Sequence, residues 1–478
     1  LHGCSDVGRL SFGISRKETH QKNRHQHQFS SALKRPTQNL QPVNVESTTM
    51  APVDEEANIS KASTRTRGEG QISDEPSPTG LMATLSRTKS RTNTILEKVS
   101  LRERIHHFTF AWYTLTMSTG GIALLLAETP HRFRGLDTIG LVVFFLDIVL
   151  IFLITAALCL RFSFFRKTPA KAITHPSESL FIPTFFLSVA AALSNIQHYG
   201  VPKCGPWLIA TLKVCFWVYL VATFFLSVGM YHLLFTGRRR LSLDSMTPAW
   251  ILPIFPVMLS GTLAAFMAPS QPPNQAAAML GAGLAAQGLG FLISAFMYAT
   301  YLSRLMTIGL PVQRPGMFIA VGPPSFTAAA LVSMGAQVPR LISTTDSFIS
   351  DSLRSVAYLT DMENPGTIAF AVRAMALFSA VFLWGLSFWF FSSACLSTLF
   401  GMPDHSFHLS WWSFVFPNVG FAIATIRIGE AFGSEGLLWF ATVFTVILIA
   451  VWLFVGFCCA RAVIRRKLVW PGRDEDSD

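Results

Sequence analysis

The chain has 478 residues, of which 51% are hydrophobic, 14% are charged and 41 are phenylalanine, a composition that excludes an ordinary soluble protein. The formal net charge is +11, but the basic residues lie in a polar tail and beside apolar runs, so they favour a membrane surface over nucleic acid as a partner. Five of the seven cysteines fall inside apolar segments, so we expect no disulfide framework, no metal site and no cofactor.

Residues 1–103 are rich in Ser, Thr, Gln, Asn, Arg and Lys and poor in aromatic residues. Such a segment cannot bury enough apolar surface to offset the entropy lost on ordering, so it is predicted to be a disordered, basic cytoplasmic tail. It lacks the apolar core and cleavage site of a secretory signal. The transmembrane part is predicted to span residues 104–462, and residues 463–478 form a short cytoplasmic C-terminal tail.

Ten apolar segments follow the N-terminal tail, and each has about the twenty residues that a helix needs to cross a bilayer. Lysines and arginines cluster in the connectors after the second, fourth, sixth and tenth segments, which places both termini in the cytosol. The segments are 108–127, 138–160, 179–197, 207–235, 248–269, 276–303, 316–337, 367–399, 409–428 and 436–460.

The odd-numbered segments share a pattern of bulky residues, then a break made of proline or glycine, then small residues. The even-numbered segments have no proline in their interiors. One such proline would merely kink a membrane helix, but a strict alternation predicts five helical hairpins around a central pore, with the broken helices inside. The predicted breaks are Gly120–Gly121, Pro183, Pro253 with Pro256, Pro323–Pro324, and Pro417 with Gly420.

The charges within the segments favour an anion as the transported ion. Asp147 is the only carboxylate in a segment interior, whereas a cation pathway needs acidic or carbonyl-lined sites. The predicted pore offers hydroxyl groups, the positive ends of half-helices and Arg427 near one mouth.

Two motifs, "FTFAWYTLTMSTGGIALL" in the first segment and "WWSFVFPNVGFAIATIRIG" in the ninth, resemble the tellurite-resistance and dicarboxylate transporter family, which includes the slow-type anion channels. Within this family the chain is most similar to fungal malic acid (C4-dicarboxylate) transport proteins. The resemblance covers about residues 104–462. It implies an all-α membrane fold of ten helices with quasi-five-fold symmetry, usually a homotrimer in which each protomer has its own pore.

The resemblance also implies a plasma-membrane transporter or channel for malate and related anions such as succinate and fumarate. A sulfite efflux transporter of the same fold is the alternative, and "FPNVGF" in the ninth segment favours the dicarboxylate group. A membrane-embedded enzyme is disfavoured, because the segments contain no pair of nucleophile and base and no metal cluster at membrane depth.

In this family a phenylalanine before the break of the ninth helix closes the pore, and Phe416 matches that position, although a packed aromatic side chain would give the same pattern. Around this gate we expect a lining of hydroxyls, break residues and one arginine. The expected lining comprises Thr119, Gly120, Pro183, Thr184, Pro256, Pro324, Ser325, Phe326, Pro417, Asn418 and Arg427.

Three charged residues fit two interpretations each. Arg427 fits an anion site or an interfacial anchor whose charged end reaches water. Arg373 fits an anion-attracting residue or a partner of Asp361. Asp147 fits a proton relay or a hydrogen bond to a neighbouring helix.

Overall fold

The computed structural model describes residues 100–237, 241–342, 365–401 and 406–468, and these residues form helices and connecting turns without any β-strand. Most of the predicted N-terminal tail, Arg238–Arg240, Asp361 and the last ten residues lie outside the described residues.

Ten apolar α-helices, numbered α1 to α10 here, account for most of the described residues. Odd-numbered helices correspond to the segments with predicted breaks, and even-numbered helices to the plain ones. The bounds are α1 Tyr113–Glu128, α2 Leu136–Phe164, α3 Pro183–Asn195, α4 Pro206–Thr236, α5 Phe255–Met267, α6 Pro273–Thr307, α7 Gly322–Ile342, α8 Pro365–Leu399, α9 Phe416–Phe432 and α10 Glu435–Ile464.

Short helical turns precede the odd-numbered helices and explain where the prolines lie. A 3₁₀ turn precedes α1, α5, α7 and α9, and a four-residue helix followed by a turn precedes α3. Pro183, Pro256, Pro324 and Pro417 lie in the first turns of their helices. A proline is tolerated there because the first backbone N–H groups of a helix have no partner within the helix. In these four helices a proline therefore marks where the regular α-helix begins.

The double glycine of the first segment does not break its helix, which corrects the prediction. α1 is continuous from Tyr113 to Glu128, and its irregular part is the 3₁₀ turn Phe110–Trp112. A glycine lowers helix stability by only about 1 kcal/mol relative to alanine, so two glycines in a packed helix are tolerated. Their small size serves close contacts instead, as the site below illustrates.

Nine helical segments within the described residues are long and apolar enough to cross a bilayer. The fifth apolar segment differs from its prediction, because its continuous helical part, Phe255–Ser270, is shorter. Its first residues form the 3₁₀ turn Pro248–Ile251 and a further turn, so the segment continues in a less regular form.

The odd-numbered helices lie inside and the even-numbered helices outside. Between 67% and 89% of the apolar stretches that contain α1, α3, α7 and α9 are buried, against 17% to 44% for the even-numbered helices. α5 is also almost wholly buried. Each inner helix packs against the next, in the order α1, α3, α5, α7 and α9, and α9 packs back against α1. The inner helices thus form a closed ring.

Candidate functional site

Three phenylalanine rings meet at the amino ends of three inner helices. Phe416, the first residue of α9, is only 3% exposed. Its ring centroid lies 5.3 Å from that of Phe326 on α7 and 6.1 Å from that of Phe255 on α5. We call these three residues the phenylalanine cluster. Such edge-on and tilted contacts are favourable for aromatic pairs, so the cluster forms an apolar contact between the three helices.

Glycines on neighbouring helices leave room for these rings. A Cβ atom at Gly121 of α1 would lie 3.3 Å from Cδ2 of Phe416, and one at Gly420 of α9 would lie 2.6 Å from Cε2 of Phe326. Since real Cβ atoms do not approach carbon this closely, Gly420 must remain a glycine while Phe326 keeps its position. Gly121 and Gly420 therefore leave open the space that the rings of Phe416 and Phe326 occupy.

A cavity of about 20 Å³ adjoins the cluster and is lined by every inner helix. The lining includes Gly121, Ala190, Leu259, Phe326 and Val419, one residue from each of the five. This space holds about one water molecule. Because all five helices contribute, the cavity lies at the centre of the ring, where the sequence predicts a pore.

A second cavity of about 1000 Å³ lies at the carboxyl ends of the inner helices. It shares Leu124 and Ser194 with the small cavity, so the two adjoin. Charged and titratable side chains line the large cavity, which we call the vestibule; they are Glu128, His198, Arg373, Arg427 and Glu430. The path from the vestibule towards the phenylalanine cluster thus passes from a charged space to a narrow apolar one.

Arg427 lines the vestibule, but carboxylates surround its guanidinium group. It donates to Glu128 of α1 and forms a 3.0 Å ion pair with Glu430 on its own helix. Its side chain is 23% exposed and that of Glu128 only 8%. Arg427 is therefore neither a simple surface anchor nor, in this arrangement, a free cation for an anion to bind.

Arg373 of α8 lines the same cavity and is exposed. It makes no hydrogen bond or ion pair with any residue in the described ranges. Asp361, which the sequence suggests as a partner for Arg373, lies outside those ranges. Within the described part of the vestibule, Arg373 is the cation that is open to a ligand.

The three hydroxyl residues expected in the pore hold helices together instead. Thr119 accepts a 3.2 Å hydrogen bond from the indole N–H of Trp452, on the outer helix α10. Thr184 donates to the backbone carbonyl of Phe110, and Ser325 donates to Ser387 on α8 at 2.9 Å. None of the three lines either cavity.

The break residues likewise shape the helices without lining the two cavities. Pro183, Pro256, Pro324 and Pro417 are buried in the first helical turns. The Asn418 side chain donates to the carbonyl of Phe414 at 2.9 Å. Of the residues expected from the sequence, the structure brings Phe416 and Phe326 together at the small cavity and places Arg427 in the vestibule.

Asp147 lies on the outer helix α2 and is fully buried. A Cβ atom at Gly120 would lie only 2.6 Å from its Oδ2, so the carboxyl group packs directly on the glycine backbone. No cation pairs with Asp147 within the described residues, and it lines neither cavity. Gly120 is thus a packing residue between α1, α2 and α3.

His106 and His107 precede the first apolar segment. Burial lowers the pKa of both side chains below the ordinary histidine value, and neighbouring positive charges lower it further. Since the neutral ring is favoured, these residues are mainly uncharged near neutral pH. They line neither of the two cavities.

The sequence did not indicate three residues of the two cavities and the cluster, namely Phe255, Glu128 and His198. A signal for Phe255 was present, because the dipeptide Phe-Pro occurs at Phe255–Pro256 as it does at Phe416–Pro417. Glu128 and His198 lie at segment ends, where polar residues are common, and only the structure brings them together. Within the described residues, no group of three or more His, Cys, Asp or Glu side chains could hold a metal ion.

Comparison with known proteins gives a consistent result. A family model described as "Voltage-dependent anion channel" (SLAC1) matches residues 107–460. The chain is 34% identical over 386 residues to the malic acid transport protein of Schizosaccharomyces pombe, covering 79% of this chain and 84% of that protein. A putative malic acid transport protein of the same yeast is 33% identical over 388 residues, covering 80% and 85%. The sulfite efflux pump SSU1 of Trichophyton rubrum is 25% identical over 355 residues, covering 73% and 89%.

Proposed function

The chain belongs to the SLAC1 family of voltage-dependent anion channels, and we propose from this that it transports malate and related C4-dicarboxylates across the plasma membrane. The family, together with the nine helical segments of the described residues that are long and apolar enough to cross a bilayer, makes it a multi-pass membrane protein. The proposed substrate rests on the 34% identity to a malic acid transport protein over most of both chains. Succinate and fumarate share the two carboxylates of malate and are proposed as further substrates.

We propose that the pathway runs through the centre of the inner ring. Two observations support this route: the inner helices close on themselves, and all five line the small cavity. In this proposal α5 and the turns before it cross the membrane as a tenth span. The ten spans then form five hairpins with quasi-five-fold symmetry.

The phenylalanine cluster is the proposed gate, with Phe416 as its central member. A hydrated anion passes an apolar constriction only by losing water, so a ring there blocks ions by both volume and dehydration. Helices α5, α7 and α9 begin close to the cluster, and their unpaired N–H groups favour negative charge. No carboxylate is among the residues that line the small cavity. These features support an anion as the permeant species.

The arrangement of the chain in the cell completes the proposal. Arginines in the connectors support cytoplasmic termini, which makes the vestibule face outwards. The N-terminal segment 1–103 and the C-terminal segment 463–478 are proposed as cytoplasmic tails outside the pathway. The apolar surface of the outer helices fits lipid and the neighbouring subunits of a homotrimer.

Sulfite efflux is the second candidate function, because the sulfite efflux pumps also align with 73% of the chain. Their identity is lower, at 25% against 34%. Family members are transporters and channels, which argues against the enzyme alternative.

Uptake by lipid vesicles that contain the purified full-length chain tests the proposal. Labelled malate and labelled sulfite are supplied at equal concentration, with protein-free vesicles as the control. We expect malate uptake that unlabelled succinate and fumarate reduce. Sulfite uptake without malate uptake would assign the chain to the second function.

A further inference from the structure

Glu128, at the end of α1, lies between two basic side chains of the vestibule. Its Oε2 accepts from the guanidinium group of Arg427. Its Oε1 lies 3.9 Å from Nδ1 of His198, at the end of the third segment. The side chain of Glu128 is only 8% exposed, so its charge needs a partner in the folded protein. The carboxylate of Glu128 is therefore shared between Arg427 and His198.

The charge that the vestibule presents to an anion depends on whether Glu128 pairs with Arg427 or with His198. While Glu128 and Glu430 both contact Arg427, two negative charges offset the single positive charge of its guanidinium group. Histidine is the side chain whose charge ordinarily changes between about pH 5 and about pH 8. Protonated His198 would attract Glu128 and weaken its hold on Arg427.

We propose that the vestibule is a carboxylate-binding site controlled by protons, in which protonated His198 pairs with Glu128 and leaves Arg427 with only its more exposed partner, Glu430, so that Arg427 can bind the substrate. The inference rests on the proposed transport of a dicarboxylate. Arg373 lines the same cavity and pairs with no described residue, so it serves the second carboxylate. A cavity of about 1000 Å³ accommodates a C4-dicarboxylate together with water.

The other groups that face His198 do not take the place of Glu128 as its partner. Arg132 and Asp137 act on it from the connector after α1 and the start of α2, but they form an ion pair with each other. Arg132 also donates to the carbonyl of Ala127. Tyr199 packs edge-on against the imidazole ring and donates its own hydroxyl to Ala123. Lys203, in the connector towards α4, is exposed, and as a cation it cannot act as a partner for protonated His198.

The test measures the KM for labelled malate in vesicles, with the same pH on both sides, at about pH 5.5 and about pH 7.5. Equal pH gives the vestibule the same pH in either orientation of the protein. For the parent we expect a KM roughly fivefold lower at the acidic pH, the size of effect expected from one partly exposed ion pair. His198→Gln should keep the higher KM at both values, because a neutral amide cannot take Glu128. Glu128→Gln should have the lower KM at both pH values, because Arg427 then has only one carboxylate partner, Glu430, at either pH.

His131→Gln is the matched control. His131 lies in the connector after α1, stacks on Trp439 and lies 3.5 Å from Glu435, but it does not line the vestibule. Its variant should keep the pH dependence of the parent, and protonation of malate itself is the same for every variant. A His198→Gln protein that retains the parent's pH dependence would overturn the inference while leaving malate transport established. Parent vesicles that take up no malate would overturn the proposed function instead.

Discussion

The ring of Phe416 occupies a space that a glycine on α1 leaves open and that rings from α5 and α7 complete. Phe414, only two residues earlier, is placed differently. It ends the 3₁₀ turn Leu409–Phe414, and its ring lies 5.2 Å from that of Phe318 and outside both cavities. Two phenylalanines of similar sequence context thus have separate roles, because the helix begins between them.

Asp147 provides a prediction about a single carboxyl group. It pairs with no cation in the described residues and lines neither cavity, so replacing it by a neutral side chain of similar size breaks no ion pair. We expect Asp147→Asn to keep malate uptake within about twofold of the parent, as for a change of ~0.4 kcal/mol. Membrane insertion is checked in parallel. Normal insertion with lost uptake would show that the carboxyl group takes part in transport as a proton relay.

Hydrogen bonds to outer helices fix the orientation of two inner helices, α7 and α9. Gln287 of α6 donates to Thr327 of α7 at 2.8 Å, and Trp384 of α8 donates to Thr425 of α9 at 2.9 Å. Such bonds are valuable where no water can satisfy a polar side chain. These two inner helices are thus held in place from outside the ring.

Close packing between α5 and α6 depends on small residues. A Cβ atom at Gly283 would lie 2.5 Å from the Cβ of Ala264 and 3.3 Å from the Cα of Gly261. We expect Gly283→Val to destabilise the protein by about 1–3 kcal/mol, because added volume must push the helices apart. The measurement is the midpoint of thermal unfolding in detergent.

Gly281→Val on the same helix is the control, since no atom lies within 4 Å of a Cβ at that position. Equal unfolding midpoints for the two variants would show that the contact of α5 with α6 is not tight.

The helices and their alternation were within reach of the sequence because apolar length and proline spacing are one-dimensional signals. Phe416 was singled out by the family resemblance, and its role as a gate stays a proposal. The orientation of side chains on the inner helices was not. Almost every residue of α1 is buried, so the helix lacks the polar face that would show which side looks inwards. For this reason Thr119 was expected in the pore although it contacts Trp452. Gly120–Gly121 gave a false break because close packing and a break both favour glycine.

The whole molecule combines an apolar constriction with a charged vestibule on one side of it. The vestibule lies at the carboxyl ends of the inner helices, whereas the phenylalanine cluster lies at the amino ends of three of them. In the proposed pathway, an anion entering from the vestibule meets arginines first and loses its water afterwards. The orientation of the protein in the membrane then determines which compartment the vestibule faces.

Cysteine labelling tests this sidedness. In a variant without native cysteines, Asn274→Cys, at an exposed position in the first turn of α6, should react with an impermeant thiol reagent added to intact cells. Arg239→Cys should react only after the cells are opened. The arginine-rich connectors support this orientation. The opposite labelling would invert the topology and turn the vestibule towards the cytosol.

The central claim is that Phe416 closes an anion pathway at the middle of the inner ring, and the anion current through Phe416→Ala tests it most directly. Removing a barrier of only ~1.4 kcal/mol raises a rate about tenfold, so we expect the current to rise about tenfold or more. Small anions such as chloride and nitrate should also pass, because the residue that excludes them is gone. Phe414→Ala, which removes a ring of the same size outside the pathway, should conduct like the parent. A Phe416→Ala protein that inserts normally and conducts no more than the parent, while Phe414→Ala conducts more, would contradict the account.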